Sequence, residues 1–145
     1  MAKPSRELAG RFSISLPQAL LADIDAMLHQ KGYDNRSLAI ADMARDWLVE
    51  HRSANPNRTI AGAITLVYDH HKHHLQETLT HIQHDHHKLI LASLHVHLDH
   101  HNCLEIIAVR GAAREVQAIA DALIGAKGVK HGKLTVTSVG KDLPI

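Results

Sequence analysis

Between Arg11 and Leu16 the chain alternates polar and apolar residues, the pattern of one short β-strand with Phe12, Ile14 and Leu16 facing inward. Nothing else in the first fifty residues offers that strand a partner, because the residues after it are helical. Pro17 suits the first turn of a helix that carries Leu20, Leu21, Ile24, Met27 and Leu28 on one side, and Gly32 stops it. Tyr33 to Ser37 is turn chemistry ending in an N-cap. A second helix then places Ile40, Met43, Ala44, Trp47 and Leu48 at i, i+3, i+4, i+7 and i+8, with Met43 and Trp47 expected in a core. One strand and two helices cannot close on themselves: the ladder groups stay unpaired and so small a unit buries too little. The first unit is therefore expected to pair with a second chain, strand against strand, in an antiparallel ribbon over four helices.

Such a ribbon sets Arg11, Ser13 and Ser15 of both chains on one surface. A two-stranded ribbon fits the major groove of DNA, and arginine and serine are side chains that read base edges there. The N-terminus of the second helix, near Arg36 and Ser37, can hold a backbone phosphate. The formal net charge of the chain is only +1, so this reading rests on local pattern and not on overall charge.

His51 to Thr59 is polar with a central proline and reads as a linker. Beyond it the periodicities give a strand over 60–67, a helix over 70–82, hairpin strands over 88–98 and 103–109, a helix over 113–126 and a last strand over 134–139. That order, βαββαβ, is the ferredoxin-like split motif, an antiparallel four-stranded sheet with both helices on one face. The chain is thus read as α+β, in three parts: 1–51, a linker over 52–59, and 60–145. Apolar residues on the uncovered sheet face, among Ile90, Ala92, Leu94, Val96 and Leu98, invite self-association.

Histidine is the compositional outlier, fifteen residues, nearly all between His70 and His131. His95 and His97 lie two apart in an alternating run and project from the same face of a strand. A turn at Asp99 to Asn102 brings back the only cysteine, Cys103, at the start of the next strand, so its sulfur can lie beside the two imidazoles. Two imidazoles and a thiolate suit nickel, copper or zinc and serve magnesium or calcium poorly. A fourth ligand has to come from elsewhere. His70, His73, His74, Glu77, His81 and His84 fall on one helical face and can hold further metal at pairs such as His70 with His74. Glu105 has two readings, a hydrogen-bond partner behind a metal ligand or an outward strand carboxylate, and the second is preferred; His86, His87, His100 and His101 are read as solvated. With 45% apolar residues but no run of eighteen, no membrane span is expected. The first seven residues contain no apolar signal region, and one cysteine forms no internal disulfide, so the expected compartment is the cytoplasm.

The strand, the Leu-Pro helix and the Gly-Tyr-x-Asn-Arg-Ser turn resemble the ribbon-helix-helix family of DNA-binding proteins. Joined to the linker, the βαββαβ unit, Gln83-His84 and Leu94-His95-Val96-His97-x5-Cys103-Leu104-Glu105, they extend the likeness to almost the whole chain from Arg11 onward. The whole resembles the nickel-responsive transcriptional regulators of the NikR family. The resemblance implies a homotetramer, a dimer of dimers, with DNA-binding dimers at the ends and four ACT-type metal domains in the middle. It implies one Ni(2+) per chain in a square plane of His95, His97, Cys103 and His84 of the partner subunit. It also implies binding to double-stranded operator DNA and repression of nickel-uptake genes, with no enzymatic activity. Planar thiolate and imidazole donors suit nickel(II) better than the tetrahedral preference of zinc, whereas copper(II) outranks nickel at almost any such site.

The sequence departs from that family where a basic and two acidic residues are expected on the second helix: Leu38 replaces one acidic residue, Ala41 replaces the basic one, and Asp42 remains. The interdomain cation bridge those acids support in the family is therefore in question. Two readings from other classes compete. A nickel or copper storage or chaperone protein would use the histidine stripe. A metalloenzyme would need a general base and a substrate pocket, neither of which the sequence offers.

Overall fold

In the computed structural model, which describes residues 10–141 and 143, the elements run α1 (Gln18–Gln30), α2 (Arg36–Ser53), β1 (Thr59–Asp69), α3 (Leu75–Asp85), β2 (Ile90–His97), β3 (Asn102–Ala112), α4 (Ala113–Ile124) and β4 (Val129–Thr137). Two units result, one ending at Met43 and the other beginning at Ala44, so the division falls within α2.

In the first unit the local signals act much as the residue types dictate. Pro17 precedes α1, and its carbonyl accepts from Leu21 N–H at 3.0 Å while the ring gives up no helical donor. Gly32 ends the helix at φ 74°, where Tyr33 N–H returns to Leu28 O at 3.0 Å. The cap of α2 is Asn35 and not Ser37. Its side-chain oxygen accepts from Leu38 N–H at 3.0 Å, which places Ser37 inside the first turn. Arg36 grips Asp25 with both arms of its guanidinium, Nε to Oδ1 at 2.7 Å and a terminal nitrogen to Oδ2 at 2.6 Å, and this hydrogen bonding holds the Asp25 carboxyl below its usual range.

The expected strand over 11–16 has no ladder in the single chain, since ladder bonds need a second strand and the described residues of this unit contain none. Phe12 is 76% exposed, and with Ile14, Leu16, Leu21, Ile24 and Ile40 it lines an apolar groove. The expectation that Met43 and Trp47 are core fails for one chain. Met43 is exposed, and Trp47 is 66% exposed with its ring stacked on His51.

The second unit is the expected split motif. Its sheet has the order β2-β3-β1-β4, antiparallel throughout. Inward residues of β1 (Ile60, Ile64, Leu66, Tyr68) and β3 (Cys103, Ile107, Val109) meet Leu75 and Leu79 of α3 and Val116, Ile119, Ala120 and Leu123 of α4 in one buried cluster. Fully burying each large side chain of this kind is worth roughly 1.5–3 kcal/mol. On the opposite face, Leu94 and Val96 stand exposed on β2, with Leu98 just beyond it. The register of β2 shifts between Ile90 and Ala92, leaving Leu91 as a bulged, exposed residue.

The helix expected from His70 begins instead at Leu75. Asp69 Oδ1 accepts from His71 N–H at 2.9 Å, Lys72 N–H returns to Asp69 O at 3.1 Å, and His74 is left-handed at φ 64°. Short local turns thus consume residues 70–74. His70 and His74 are therefore no helical pair, and the metal stripe drawn through them does not exist.

Gly62 marks a close approach of β1 to β4. A Cβ there would lie 2.7 Å from the Thr135 carbonyl oxygen, which is backbone and cannot swing aside. Gly62→Ala should lower unfolding free energy in urea by about 1–3 kcal/mol. Gly10→Ala, with nothing within 4 Å of the added carbon, should leave it unchanged.

Candidate metal centre

Pairing of β2 with β3 sets His97 opposite Cys103 and His95 opposite Glu105, while β1 lays Tyr68 opposite Cys103 from the other side. Residues directly opposite share a face, so the two imidazoles, the sulfur, the phenol and the carboxylate all turn to the side of the sheet that carries the helices. Tyr68 and Cys103 are buried there, and His95 and His97, on the edge strand, are exposed.

The sulfur lies 3.5 Å from His97 Nδ1 and 3.4 Å from His70 Nδ1. The ligand atoms of His70, His97 and Cys103 all lie within 4.8 Å of one another. A soft sulfur between two imidazole nitrogens fits a late transition ion and not a hard one. The donor chemistry here therefore fits the nickel the sequence suggested. His70 reaches the cluster because it continues the alternation Leu66, Tyr68, His70. The strand expected over 60–67 runs on to Asp69, and the alternation runs on with it.

His95 has a different neighbour. Its Nδ1 lies 3.3 Å from the Tyr68 hydroxyl, and its ring is 5.1 Å from that of His97, centroid to centroid. Tyr68 donates its one proton to Glu105 Oε2 at 2.8 Å, and Gln83 Nε2 donates to Glu105 Oε1 at 2.7 Å. With its proton committed, the phenol oxygen can only accept from His95, so Nδ1 carries a hydrogen and Nε2 keeps the lone pair a metal needs. Glu105, read from sequence as an outward carboxylate, is 8% exposed, because it alternates with the buried Cys103 and Ile107. Burial foremost, and the Glu105 hydrogen bond after it, push the Tyr68 phenol well up.

His84 stands apart from these groups in the single chain. Gln83 is tied inward to Glu105, and the next residue of a helix is turned by about 100°, so His84 is carried to the exposed side of α3 beside Glu77 and His81. Of the remaining histidines, His71, His100 and His101 group at the loops, their ring centroids 4.9–5.6 Å apart.

Burial raises the Cys103 thiol, with Asp69, Asp99 and Glu105 adding to the effect, so at neutral pH the sulfur keeps its proton. Burial also lowers His70, helped by the charges of His71 and His97, so that imidazole is neutral there. The hairpin turn is held by Asp99, whose Oδ1 accepts from His101 N–H and Asn102 N–H at 2.8 Å each. With the Asn102 side chain as the largest influence, these bonds bring its carboxyl down to about 2.

Residues 61–137 match the family model of the NikR C-terminal nickel-binding domain, more than half of the chain. A putative nickel-responsive regulator of Geobacter sulfurreducens is 52% identical over 133 residues, 92% of this chain and 96% of that protein. Proteins of the same description from Geotalea uraniireducens and Pyrococcus horikoshii are 53% and 48% identical over the same shares. The chain belongs to this nickel-responsive regulator family. His70, His84, His95, His97 and Cys103 all fall inside the matched domain, whereas Arg11, Ser13, Ser15, Arg36 and Ser37 precede it. No helix of the described residues is long and apolar enough to cross a membrane.

Two outcomes are expected of metal binding at this cluster. In weakly buffered solution at pH 7, metal captured by the sulfur should release about one proton per ion, read with an indicator dye, and Cys103→Ala should abolish the release. Tyr68→Phe removes the donor of a buried carboxylate bond and should cost about 1–3 kcal/mol in urea unfolding, while weakening metal binding through loss of the His95 tautomer.

Proposed function

We propose that this protein is a nickel-dependent DNA-binding regulator that represses nickel-uptake genes when loaded. In this reading each chain takes one Ni(2+), held by His95, His97 and Cys103 and by His84 of the partner subunit, in a cytoplasmic homotetramer without enzymatic activity. The observation that carries it is the register of the hairpin: His97 faces Cys103 and His95 sits one pair along, inside a domain matched to nickel-binding relatives. Two further features support it. The outward turn of His84 suits a ligand offered to another chain, and the exposed Leu94, Val96 and Leu98 suit a sheet face covered by a second copy.

The division into a ribbon-helix-helix domain over 1–51, a linker over 52–59 and an ACT-like domain over 60–145 belongs to the same proposal. Arg11, Ser13 and Ser15 are exposed, as base-reading residues must be, and Phe12 and Ile14 between them are apolar surface for a partner strand to cover. Arg36 and Ser37, in the first turn of α2, are assigned to the phosphate backbone. Metal that binds between chains acts on the switch by binding one quaternary state better than the other.

A titration of the purified protein with nickel, read by absorption for thiolate-to-nickel charge transfer and by retention of promoter DNA, tests the whole reading. One ion per chain, a square-planar spectrum and DNA retention that requires nickel are expected, with retention falling steeply as salt rises. Cys103→Ala should remove the tight site and leave the tetramer folded. Several weak ions per chain and no DNA retained would replace the regulator with the storage reading.

A further inference from the structure

Apart from the cluster around Cys103, three imidazoles meet on two loops that the fold ties together. His71 lies just past β1, and His100 and His101 lie in the turn between β2 and β3. Their ring centroids are 5.6 Å apart for His71 and His100, 5.4 Å for His71 and His101, and 4.9 Å for His100 and His101. With metal–nitrogen bonds of about 2.0–2.1 Å, an ion sits about 3.2 Å from the centroid of each imidazole that holds it, so rings at a tetrahedral angle are about 5.2 Å apart and rings at a right angle about 4.5 Å. All three separations lie nearer the tetrahedral value.

The backbone beneath these rings is fixed. His70 N–H donates to His101 O at 3.1 Å and joins the two loops. Asp69 Oδ1 accepts from His71 N–H at 2.9 Å, and Asp99 Oδ1 accepts from His101 N–H at 2.8 Å. The His71 amide foremost holds the Asp69 carboxyl below its usual range, and the Asn102 side chain foremost does so for Asp99, so two anions flank the three rings. His71 Nε2 lies 3.2 Å from the His100 carbonyl oxygen, which can only accept. Nε2 therefore carries the hydrogen and Nδ1 keeps its lone pair, as in a metal-ligating imidazole whose other nitrogen is held by a carbonyl. All three histidines are exposed, so the rings of His100 and His101 can turn their nitrogens to the shared point while the loops stay still.

We propose that His71, His100 and His101 form a second metal site, open to solvent, that takes zinc(II) with water in the fourth position. Three neutral nitrogen donors suit such a borderline ion and serve hard cations poorly. The site shares no ligand with the nickel set or with His70, and it goes beyond the proposed function: a chain whose Cys103 cluster is filled or destroyed still holds zinc at the loops.

The test uses the full-length protein in two backgrounds, parent and Cys103→Ala, each carrying His71→Ala, His100→Ala or His101→Ala in turn. Zinc(II) is competed against a chromophoric chelator and counted by equilibrium dialysis. Alanine keeps the backbone bonds that hold the loops. His71→Gln, which can still donate to the His100 carbonyl, and a urea unfolding midpoint taken without metal guard against a folding artefact.

In the Cys103→Ala background the tightest zinc ion should be the one at the loops, and each of the four substitutions should weaken it at least tenfold while the metal-free midpoint stays in place. With Cys103 intact, His100→Ala and His101→Ala should leave the nickel spectrum unchanged. Zinc affinity that the loop substitutions do not alter in the Cys103→Ala background would overturn the proposal and assign that ion to other histidines. A nickel spectrum lost in His100→Ala or His101→Ala would overturn it differently, by making the loops part of the nickel centre.

Discussion

His97 faces Cys103, and His95 faces Glu105, only because β2 and β3 are paired in one register, and no other feature of the molecule bears on so much of its chemistry. A slip of one residue would carry both imidazoles to the opposite face and leave Leu94 and Val96 pointing at the core. The register is protected from two sides. Beyond the turn, Asp99 collects the backbone donors of His101 and Asn102, which fixes the loop length. At the far end the bulge at Leu91 absorbs the one-residue mismatch, so the strand can leave the β3 ladder without dragging the histidines out of phase.

Around that pair the protein has built a polar core inside an apolar one. A buried carboxylate is costly unless its oxygens are satisfied, and Glu105 receives one hydrogen bond from β1 through Tyr68 and one from α3 through Gln83. Three elements thereby meet at one side chain. The arrangement also settles the tautomer of His95, so the same interactions that make burial of the carboxylate tolerable leave the lone pair on its Nε2.

The order of elements in the second unit was legible from periodicity alone, as were the shared face of His95 and His97 and the return of Cys103 beside them. Alternation is dictated by backbone geometry, and the turn residues were unambiguous. Helix onset at α3 was not legible, because histidines that fit a helical stripe on paper are diverted by an aspartate that captures the amide of His71. The preferred outward reading of Glu105 fails for a related reason. A carboxylate in a strand normally faces water, and only the joint presence of Tyr68 and Gln83 makes its inward position stable. Asn35 displaced Ser37 as the cap because its side chain lies three residues before the amide that needs an acceptor. The strand over 11–16 and the burial of Met43 and Trp47 are expectations for a structure that two chains make together, and one chain leaves Met43 and Trp47 exposed.

Cys103 has no exposed surface, and its surroundings favour the protonated sulfur. Oxidants and electrophiles attack the thiolate, and they need to reach it. The lone sulfur is therefore chemically quiet until an ion with strong affinity for it displaces the proton. The thiol is shielded by its own packing, and among the described residues peroxide or alkylating reagents should meet imidazoles and the exposed thioethers of Met27 and Met43 before they reach it.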